Sequence, residues 1–223
     1  MDSRIRLQTR LHVLLHSRHR VRFLVSPIEK NFSLPFSNVF RSMMLENIFF
    51  PRVTCFRLND YRHLHEAVIE SREDLYQISG ALNKIKVCTS SSPLVLTLHK
   101  KGPCMVYASD FKSHSDSHKY RILNGSLPIC EVYGKKSVKL SVLIEYVRGR
   151  ERVFQVKRSL PNGIEVEHHN NPIQHVSYNI LSYRTYDEVL FDIISDGTIN
   201  VGSCVQWNID FLSYKFRELN FCV

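Results

Sequence analysis

Pairs of histidines are the features of this sequence that come nearest to a chemical site. They are His63 and His65 next to Glu66, the adjacent His168 and His169, and the pair His114 and His118. A catalytic metal needs about three convergent protein ligands and room for a water molecule. None of the pairs has the helical H-E-x-x-H spacing, so we interpret them as surface histidines. A metal-dependent hydrolase at His63, His65 and Glu66 is a remote alternative.

Other catalytic signatures are missing from the sequence as well. It contains no glycine-rich phosphate loop, no nucleophile elbow and no Ser/His/Asp signature. Scattered carboxylates could meet in space, but their spacing predicts no pair. We therefore predict that the chain is not an enzyme by itself and has no catalytic residue, no metal ligand and no cofactor of its own.

A strip of basic and aromatic residues, YVRGRERVFQVKR, runs from Tyr146 to Arg158. Proteins that bind single-stranded nucleic acid use aromatic platforms beside a cationic groove in this way. The formal net charge of +9 also suits an acidic partner, either a nucleic acid or an acidic protein surface. The interpretation that we favour is a strand that leaves the core and enters a charged loop. A free-standing module that binds single strands is the alternative function.

The composition is typical of a soluble globular protein. Hydrophobic residues make up 43% and charged residues 23% of the 223 residues, a length that suits one large domain or two small ones. No apolar run approaches the roughly 20 residues of a membrane-spanning helix. The six cysteines form no C-x-x-C pair and follow no secretory signal, so we predict reduced and mostly buried thiols.

Apolar, β-favouring runs recur along the chain and predict a strand-rich fold. They lie at 11–15, 21–25, 53–58, 94–98, 138–147, 176–183 and 189–194. The first two flank the polar sequence HSRHR and suit a hairpin. The arginine-rich, acid-poor N-terminus also suits an organelle transit peptide, and composition alone leaves both interpretations open.

The first of three predicted helices begins near Ser33, a candidate N-cap, with Pro35 in the first turn. Helical periodicity places Phe36, Val39, Phe40, Met43 and Met44 on one apolar face. The opposite face consists of Asn38, Arg41, Ser42 and Leu45. Because that face mixes polar and apolar groups, it suggests a second contact surface.

Two further helices are predicted. One lies in REDLYQISGALNKIK, with Leu75, Ile78, Leu82 and Ile85 at helical spacing. The other follows the candidate N-cap Asn200 and is apolar over two arcs. The first arc is Val201, Val205, Ile209, Leu212, Phe216 and Leu219, and the second is Cys204, Trp207, Phe211 and Tyr214. One sheet cannot cover both arcs, so the second is predicted to meet another chain.

Six blocks of the sequence carry a resemblance to a known family. They are RFLVSPIEKNFSLPFSNVFRSMML, REDLYQISGALNKIKV, LVLTLHKKGPCMVYASDF, IEYVRGR, NPIQHVSYNI and VLFDIISDGTIN. The first resembles the strand, Pro-Leu-Glu-Arg turn and assembly helix of the α subunit (N-terminal assembly domain) of bacterial-type DNA-directed RNA polymerase. The others resemble the blocks that follow in that family. The resemblance covers almost the whole chain, and the chain is most similar to divergent plastid-encoded forms of the subunit.

The resemblance implies an α+β fold. A discontinuous dimerisation subdomain, a sheet with two helices, is expected at 1–52 and 176–223. A mostly-β inserted subdomain is expected at 53–175. Family members begin with strands and an organelle-encoded subunit needs no transit peptide, so the resemblance favours a folded N-terminal hairpin. The chain ends soon after the third helix, and no C-terminal DNA-binding domain is expected.

Site residues follow from the resemblance where the family's motif matches. For contact with the β subunit they are Glu29, Lys30, Asn38, Arg41, Ser42 and Leu45. For the dimer interface they are Phe36, Val39, Phe40, Met43, Met44, Trp207, Phe211, Leu212, Tyr214 and Phe216. The family's paired arginines are Arg41 and Ser42 here, so one charge is lost. The family's nearby glycines are replaced by Asn31, Ser33 and Ser37, which implies a stiffer or altered loop.

The function that the resemblance implies is that of a noncatalytic scaffold. The chain would pair with a second copy of itself and carry the β and β′ (or β′-like) subunits of a DNA-dependent RNA polymerase. Mg²⁺ is expected in the catalytic subunit of that complex, and DNA is expected to be met only through the assembled enzyme. No membrane span is expected. The expected location is the plastid (chloroplast), or otherwise the cytoplasm of a bacterial-type cell.

Overall fold

The computed structural model of the protein describes residues 8–113, 119–148, 160–166 and 171–218. The chain folds into two compact units. The terminal unit comprises Met1–Ile48 and Asn171–Val223, and the inserted unit comprises Phe49–Asn170. The roles in dimerisation and insertion that the resemblance implies for such parts stay predictions.

Strands and three α-helices make up the described chain, together with a 3₁₀ turn at Ala108–Asp110. In chain order they are β1 (Arg10–His16), β2 (Arg20–Ile28), α1 (Ser33–Glu46), β3 (Phe49–Leu58), α2 (Leu75–Asn83), β4 (Val87–Thr89), β5 (Leu94–Lys101), β6 (Cys104–Tyr107), β7 (Lys112–Ser113), β8 (Tyr120–Ile122), β9 (Pro128–Val132), β10 (Ser137–Arg148), β11 (Ile164–Glu165), β12 (Ile173–Ser182), β13 (Asp187–Ser195) and α3 (Val201–Glu218). The pairings are antiparallel, and the predicted α+β class is confirmed.

The terminal unit contains a four-stranded sheet in the order β1-β2-β13-β12. Alternate residues of β2 and β13 are buried, as the period of a strand with one covered face requires. Helix α1 packs against β12 and β13, and α3 contacts β2 and α1. The predicted hairpin of β1 and β2 is confirmed, and its turn is closed by the Ser17 N–H, which donates to the Arg20 carbonyl over 2.9 Å.

The start of α1 differs from the prediction. The N-cap is Phe32, and its side chain makes no capping bond. Ser33 is the first helical residue, and its hydroxyl donates to the Asp187 carboxylate over 2.7 Å. The Ser37 hydroxyl donates to the Ser33 carbonyl over 2.6 Å. Ser33 and Ser37 are therefore buried helix residues whose small size brings α1 close to β13, and not parts of a loop.

Asn31, by contrast, lies in the turn before α1. Its φ of 70° is in the left-handed region, which glycine occupies freely and asparagine tolerates better than most residues. The asparagine thus adopts a conformation that glycine takes freely, at a position where the family that the chain resembles has glycine. Of the three such positions, which are those of Asn31, Ser33 and Ser37, only Asn31 has a glycine-like backbone in the described structure.

The inserted unit is built on a five-stranded sheet in the order β11-β3-β10-β5-β7, with two-stranded sheets β4-β8 and β6-β9. Its core is a continuous apolar cluster that takes in one face of β3, β5 and β10 and the buried side of α2. Helix α2 is held at its start by a capping box, in which Asp74 accepts from the Gln77 N–H and Gln77 accepts from the Asp74 N–H. The helix ends before Ile85, which is buried just beyond it.

Two composition-based predictions have mixed outcomes. The five cysteines within the described residues are free thiols, as predicted. Only Cys55 and Cys130 among them are buried, so the expectation of mostly buried thiols is wrong. Burial raises the pKa of both of these thiols to about 12, which keeps them protonated and unreactive. None of the described helices has the length and apolar character that a membrane crossing requires.

Candidate functional surfaces

Helix α1 turns a narrower face inward than the sequence predicts. Its fully buried residues are Ser33, Ser37, Phe40 and Met44. Phe36 and Met43 are half-buried, and Val39 is 47% exposed. The predicted apolar face is therefore wrong at Val39. The helix is rotated so that the two small serines, rather than Val39, approach the sheet, because Ser33 is bound to Asp187 there.

The opposite face of α1 is fastened to β12 within the same chain. The Tyr178 hydroxyl donates to Asn38 Oδ1 over 2.7 Å. Arg41 Nε donates to the Val176 carbonyl over 3.1 Å. Both bonds leave polar atoms at the surface, since Asn38 and Arg41 are exposed residues. Two of the residues predicted to contact β thus position α1 on its own sheet.

The remaining residues of the predicted β-contact set are also near solvent. Ser42 is exposed and lies beside Arg41 on the helix. Leu45 is half-buried, and its carbonyl accepts a bond from the Asn171 amide. Glu29 and Lys30 are exposed in the turn before α1, where the Glu29 carbonyl accepts from the Phe32 N–H over 3.1 Å.

The carboxylate of Asp187 links this turn to the sheet. The hydrogen bond from Ser33 is the main cause that lowers its pKa, followed by a bond from Ser182 and by the charge of Lys30. The ionised carboxylate thereby ties the first residue of α1 to the start of β13.

Helix α3 divides into a packed half and an exposed half. Val201, Val205 and Asn208 are buried against the terminal unit. From residue 213 to residue 218 each side chain is exposed, and Tyr214 and Phe216 have 56% and 69% of their surface open. Large aromatic side chains on an exposed helix end are typical of a contact surface.

The sequence did not predict the role of Asn208. It is fully buried at the contact of α3 with α1, and its amide donates to the Cys204 carbonyl over 3.0 Å and to Met44 Sδ over 3.1 Å. Its Oδ1 has no partner among the described residues. An apolar arc of helical period passes through this position, so only the fold shows that a polar residue occupies it.

The predicted dimer-interface residues lie in three environments. Phe40 and Met44 belong to the chain's own core. Half-buried residues are Phe36, Met43, Trp207, Phe211 and Leu212. Exposed residues are Val39, Tyr214 and Phe216. The exposed and half-buried residues offer surface to a second chain, whereas Phe40 and Met44 can act only by supporting α1 from below.

Strand β1 is an apolar surface that the sequence analysis did not assign to an interface. It lies at the edge of its sheet and is exposed along its whole length. Its exposed large side chains are Leu11, Val13, Leu14 and Leu15. An apolar edge strand is prone to pair with another chain. The alternation of buried and exposed residues that marks β2 is absent from β1.

The histidine pairs give no metal site within the described chain. No group of three or more His, Cys, Asp or Glu residues capable of holding a metal occurs among those residues. The Glu66 carboxylate accepts the backbone N–H groups of Arg62 and His63, and His65 contacts the Tyr76 hydroxyl. His114, His118, His168 and His169 lie outside the described residues.

Only the first three residues of the basic and aromatic strip are described. Tyr146 and Arg148 belong to β10, and Val147 between them is 4% exposed. The Tyr146 hydroxyl donates to the Thr89 carbonyl, so the ring is tied to the inserted unit. Residues 149–158 of the strip lie outside the described residues. The described part fits the favoured interpretation of a strand that leaves the core.

Comparison with known proteins gives matches to one kind of subunit. No protein-family model matches the chain. The DNA-directed RNA polymerase subunit alpha of Hydrogenobaculum sp. is 22% identical over 199 residues, which cover 86% of this chain and 61% of that relative. The subunit of the same name from Acidothermus cellulolyticus is 26% identical over 178 residues, which cover 78% of this chain and 51% of that relative.

These matches confirm the resemblance to the RNA polymerase α subunit that the six sequence blocks indicate. The chain spans about half to three fifths of the length of the curated relatives that it matches. The likeness to plastid-encoded forms and the plastid location stay predictions.

Proposed function

We propose that this chain is an α subunit of a DNA-dependent RNA polymerase, that it forms a homodimer, and that the dimer is the platform on which β and β′ (or β′-like) subunits assemble. The relatives bear the name of that subunit. The observation that carries the proposal is the aromatic end of α3, where Tyr214 and Phe216 are each more than half exposed. A second copy of the chain would cover them.

The terminal unit has the right surface for a homodimer. Val39 of α1, four large apolar side chains of β1, and Tyr214 and Phe216 at the end of α3 are exposed. A two-fold dimer buries the same patch on both copies, so one chain needs only one self-complementary surface. Aromatic residues are enriched at the centres of such interfaces. The predicted partners of Tyr214 and Phe216 are therefore the same helix and neighbouring apolar residues of the second copy.

Capture of β is assigned to the exposed face of α1. Arg41 uses its Nε–H on the Val176 carbonyl, which leaves the other N–H groups of the guanidinium for a carboxylate or carbonyl of a partner. Ser42 beside it supplies a hydroxyl where the family has a second arginine. The same bond that anchors Arg41 also fixes the direction in which its free edge points.

The chain contributes assembly and not chemistry to this complex. Nucleotidyl transfer and the Mg²⁺ that it needs are assigned to the catalytic subunit, and DNA is met through the assembled enzyme. The plastid is the proposed location for an organelle-encoded form, with the cytoplasm of a bacterial-type cell as the alternative.

Light scattering on the full chain after gel filtration tests the dimer. The wild-type chain is expected to have the mass of a dimer. Tyr214→Ser combined with Phe216→Ser is expected to give the mass of a monomer, because it removes the two most exposed aromatic side chains of α3. Arg217→Ser on the same turn is the matched control and leaves the dimer intact. A monomeric wild-type chain would overturn the proposal.

Arg41→Ala tests the capture of β. The variant is expected to dimerise normally but to retain less of the large subunits when a tagged chain is purified from its complex. Glu46→Ala, an exposed change at the end of the same helix, is the control. Loss of dimerisation by Arg41→Ala would show that the faces of α1 are assigned the wrong way round. Fewer than two copies of the chain per β/β′ pair would exclude the scaffold itself.

The alternative function, binding of single-stranded nucleic acid by the strip from Tyr146 to Arg158, has its own test. A free-standing binder would hold a labelled oligothymidylate, with affinity that falls steeply as salt rises. The isolated chain is expected to show no such binding at physiological salt. Salt-sensitive binding that Arg148→Gln weakens would favour the alternative.

A further inference from the structure

A polar cavity of about 520 Å³ lies in the inserted unit. Its lining includes Arg57 of β3, Lys139 and Ser141 of β10, the residues Asn59 and Asp60 that follow β3, and Asn162. Arg57 is paired with Ser141 across the two strands. Leu58 and Leu140 next to them are fully buried in the core. Because side chains alternate along a strand, Arg57, Lys139 and Ser141 share the opposite face of the sheet.

Two cationic side chains of this cavity, Arg57 and Lys139, have no bonding partner in the described part of the chain. Neither the Arg57 guanidinium nor the Lys139 ammonium has an ion pair or hydrogen bond with any described residue. By comparison, Lys100 in the same sheet is paired with Asp110. Ser141 is 3% exposed, lines the cavity and makes no side-chain hydrogen bond within the described chain. The side chains of Arg57, Lys139 and Ser141 therefore line one space, and none of their donor groups is bonded to an acceptor of a described residue.

The two carboxylates of the lining do not cancel this charge. The Glu70 carboxylate accepts from the Tyr61 hydroxyl over 2.7 Å, and this bond holds it at the side of the cavity. Asp60 is exposed at the rim. A third cation, Arg62, also lines the cavity. The site thus offers a fork-shaped guanidinium, an ammonium and the Ser141 hydroxyl, a set that matches a carboxylate.

We propose that this cavity, which we name the Arg57 cavity, accepts a carboxylate side chain from an acidic segment of a large subunit of the complex. It rests on the proposed function, because it names a second contact of the same scaffold. An acidic protein segment fits better than a nucleic acid, because the aromatic residue of the lining, Tyr61, is half-buried and offers no stacking platform for a base.

The variants for the test remove the two unpaired charges and keep the fold. Arg57→Gln combined with Lys139→Gln is the test variant. Arg121→Gln combined with Lys112→Gln is the matched control, since it removes the same two charges from exposed residues of the inserted unit that lie outside the cavity. Both variants are expected to melt within a few degrees of the wild type, because the charged groups that they remove bind no described residue.

Fluorescence anisotropy of labelled hexaglutamate with the full chain is the first measurement. The wild type is expected to bind the peptide, and the test variant to bind it at least tenfold more weakly. The control is expected to change the affinity by less than twofold. Equal losses in both variants, or no binding to the wild type, would overturn the proposal. A labelled oligothymidylate that loses more affinity than hexaglutamate in the test variant would also overturn it in favour of a nucleic-acid site.

Photo-crosslinking in the assembled complex is the second measurement. A photoreactive amino acid incorporated at position 139 is expected to link to an acidic segment of a large subunit, while one at position 112 does not. Links to nucleic acid, or to no chain, would overturn the Arg57 cavity as a protein contact. The mass of the dimer and the subunit count test the scaffold function separately from the Arg57 cavity. If these two measurements agree with the scaffold while the crosslink fails, only the assignment of the cavity is overturned.

Discussion

The terminal unit and the inserted unit treat their apolar residues differently. Among the described residues, eleven exposed large hydrophobic side chains lie in the terminal unit and six in the inserted unit. Four of the six in the inserted unit are tyrosines, whose hydroxyls suit a solvent-facing position. Those of the terminal unit include four side chains of the edge strand β1 and two at the end of α3. More large apolar side chains therefore stay exposed in the terminal unit than in the inserted unit.

The cores of the two units also differ in the residues that form them. The inserted unit buries one large and mostly aliphatic cluster between a sheet and α2. The core of the terminal unit contains an aromatic centre, where the Phe191 ring lies 5.1 Å from that of Phe23 and 5.0 Å from that of Phe40, measured between centroids. A compact centre holds α1 and the sheet together but leaves the edges uncovered.

The largest expected effect concerns that aromatic centre. Phe191→Ala should lower the free energy of unfolding by about 3–5 kcal/mol, since it removes a fully buried ring and leaves a cavity. Urea unfolding followed by circular dichroism measures the change. Leu181→Ala, at a side chain that is 42% exposed in the same unit, is the control and should cost below about 0.5 kcal/mol. Similar losses in both would show that the terminal unit has no such centre.

The next prediction compares the exposed aromatic residues of the two units by how the melting temperature depends on protein concentration. The melting temperature of the wild type should rise with protein concentration, by roughly 2–4 °C for each tenfold increase, because a dimer is favoured by mass action. Tyr214→Ser with Phe216→Ser should abolish this dependence. Tyr107→Ser with Tyr133→Ser, at exposed tyrosines of the inserted unit, should preserve it. A dependence lost in the inserted-unit pair instead would reverse the comparison.

A smaller effect is expected from the buried Asn208. Its Oδ1 lacks a partner among the described residues, and an unsatisfied buried acceptor costs about 1–3 kcal/mol. Asn208→Leu should therefore raise the free energy of unfolding by about 1 kcal/mol, as measured by urea unfolding. Asn208→Ala, which leaves a cavity beside Met44, should lower it. If Asn208→Leu destabilises the chain as much as Asn208→Ala, the amide is needed for its bonds.

The smallest effect concerns acid stability of the terminal unit. Arg20 is the main cause, with Arg22, that holds the pKa of Asp192 at about 2. Because this pKa lies below that of the unfolded chain, the ion pair stabilises the fold above about pH 4 and is lost as the pH falls towards 2. Asp192→Asn should cost about 0.5 kcal/mol at neutral pH, because solvent screens the exposed arginines. Melting curves at pH 7 and pH 3 measure it, and the variant should differ less from the wild type at pH 3. A difference independent of pH would rule out the ion pair as its cause.

Much of the secondary structure could be predicted because it depends on local patterns. Each of the seven apolar runs falls on a strand, and the three predicted helices are present. The short strands β4, β6, β7, β8, β9 and β11 were not predicted, because two to five residues are too few to show a period. The N-cap of α1 was misplaced for a related reason. Ser33 suits a cap by its chemistry, but a long-range bond to Asp187 claims its hydroxyl.

The candidate sites were less accessible to sequence reasoning. The resemblance drew attention to α1 and α3, and Tyr214, Phe216 and Val39 are indeed exposed. It could not show that Asn38 and Arg41 bind β12, because those bonds join residues more than a hundred positions apart. The Arg57 cavity draws its lining from segments that are distant in sequence, and no motif announces it.

Side-chain periodicity and the order of the blocks were enough to establish which segments are strands and helices, that α3 is apolar over too much of its circumference, and which family the chain resembles. Tertiary packing decided which of the apolar faces are buried within the chain itself. The rotation of α1 buries Phe40 and Met44 and leaves Val39 outside. That rotation depends on the packing of Ser33 and Ser37 against a strand about 150 residues away in the sequence. A contact between residues so far apart leaves no trace in the local sequence pattern.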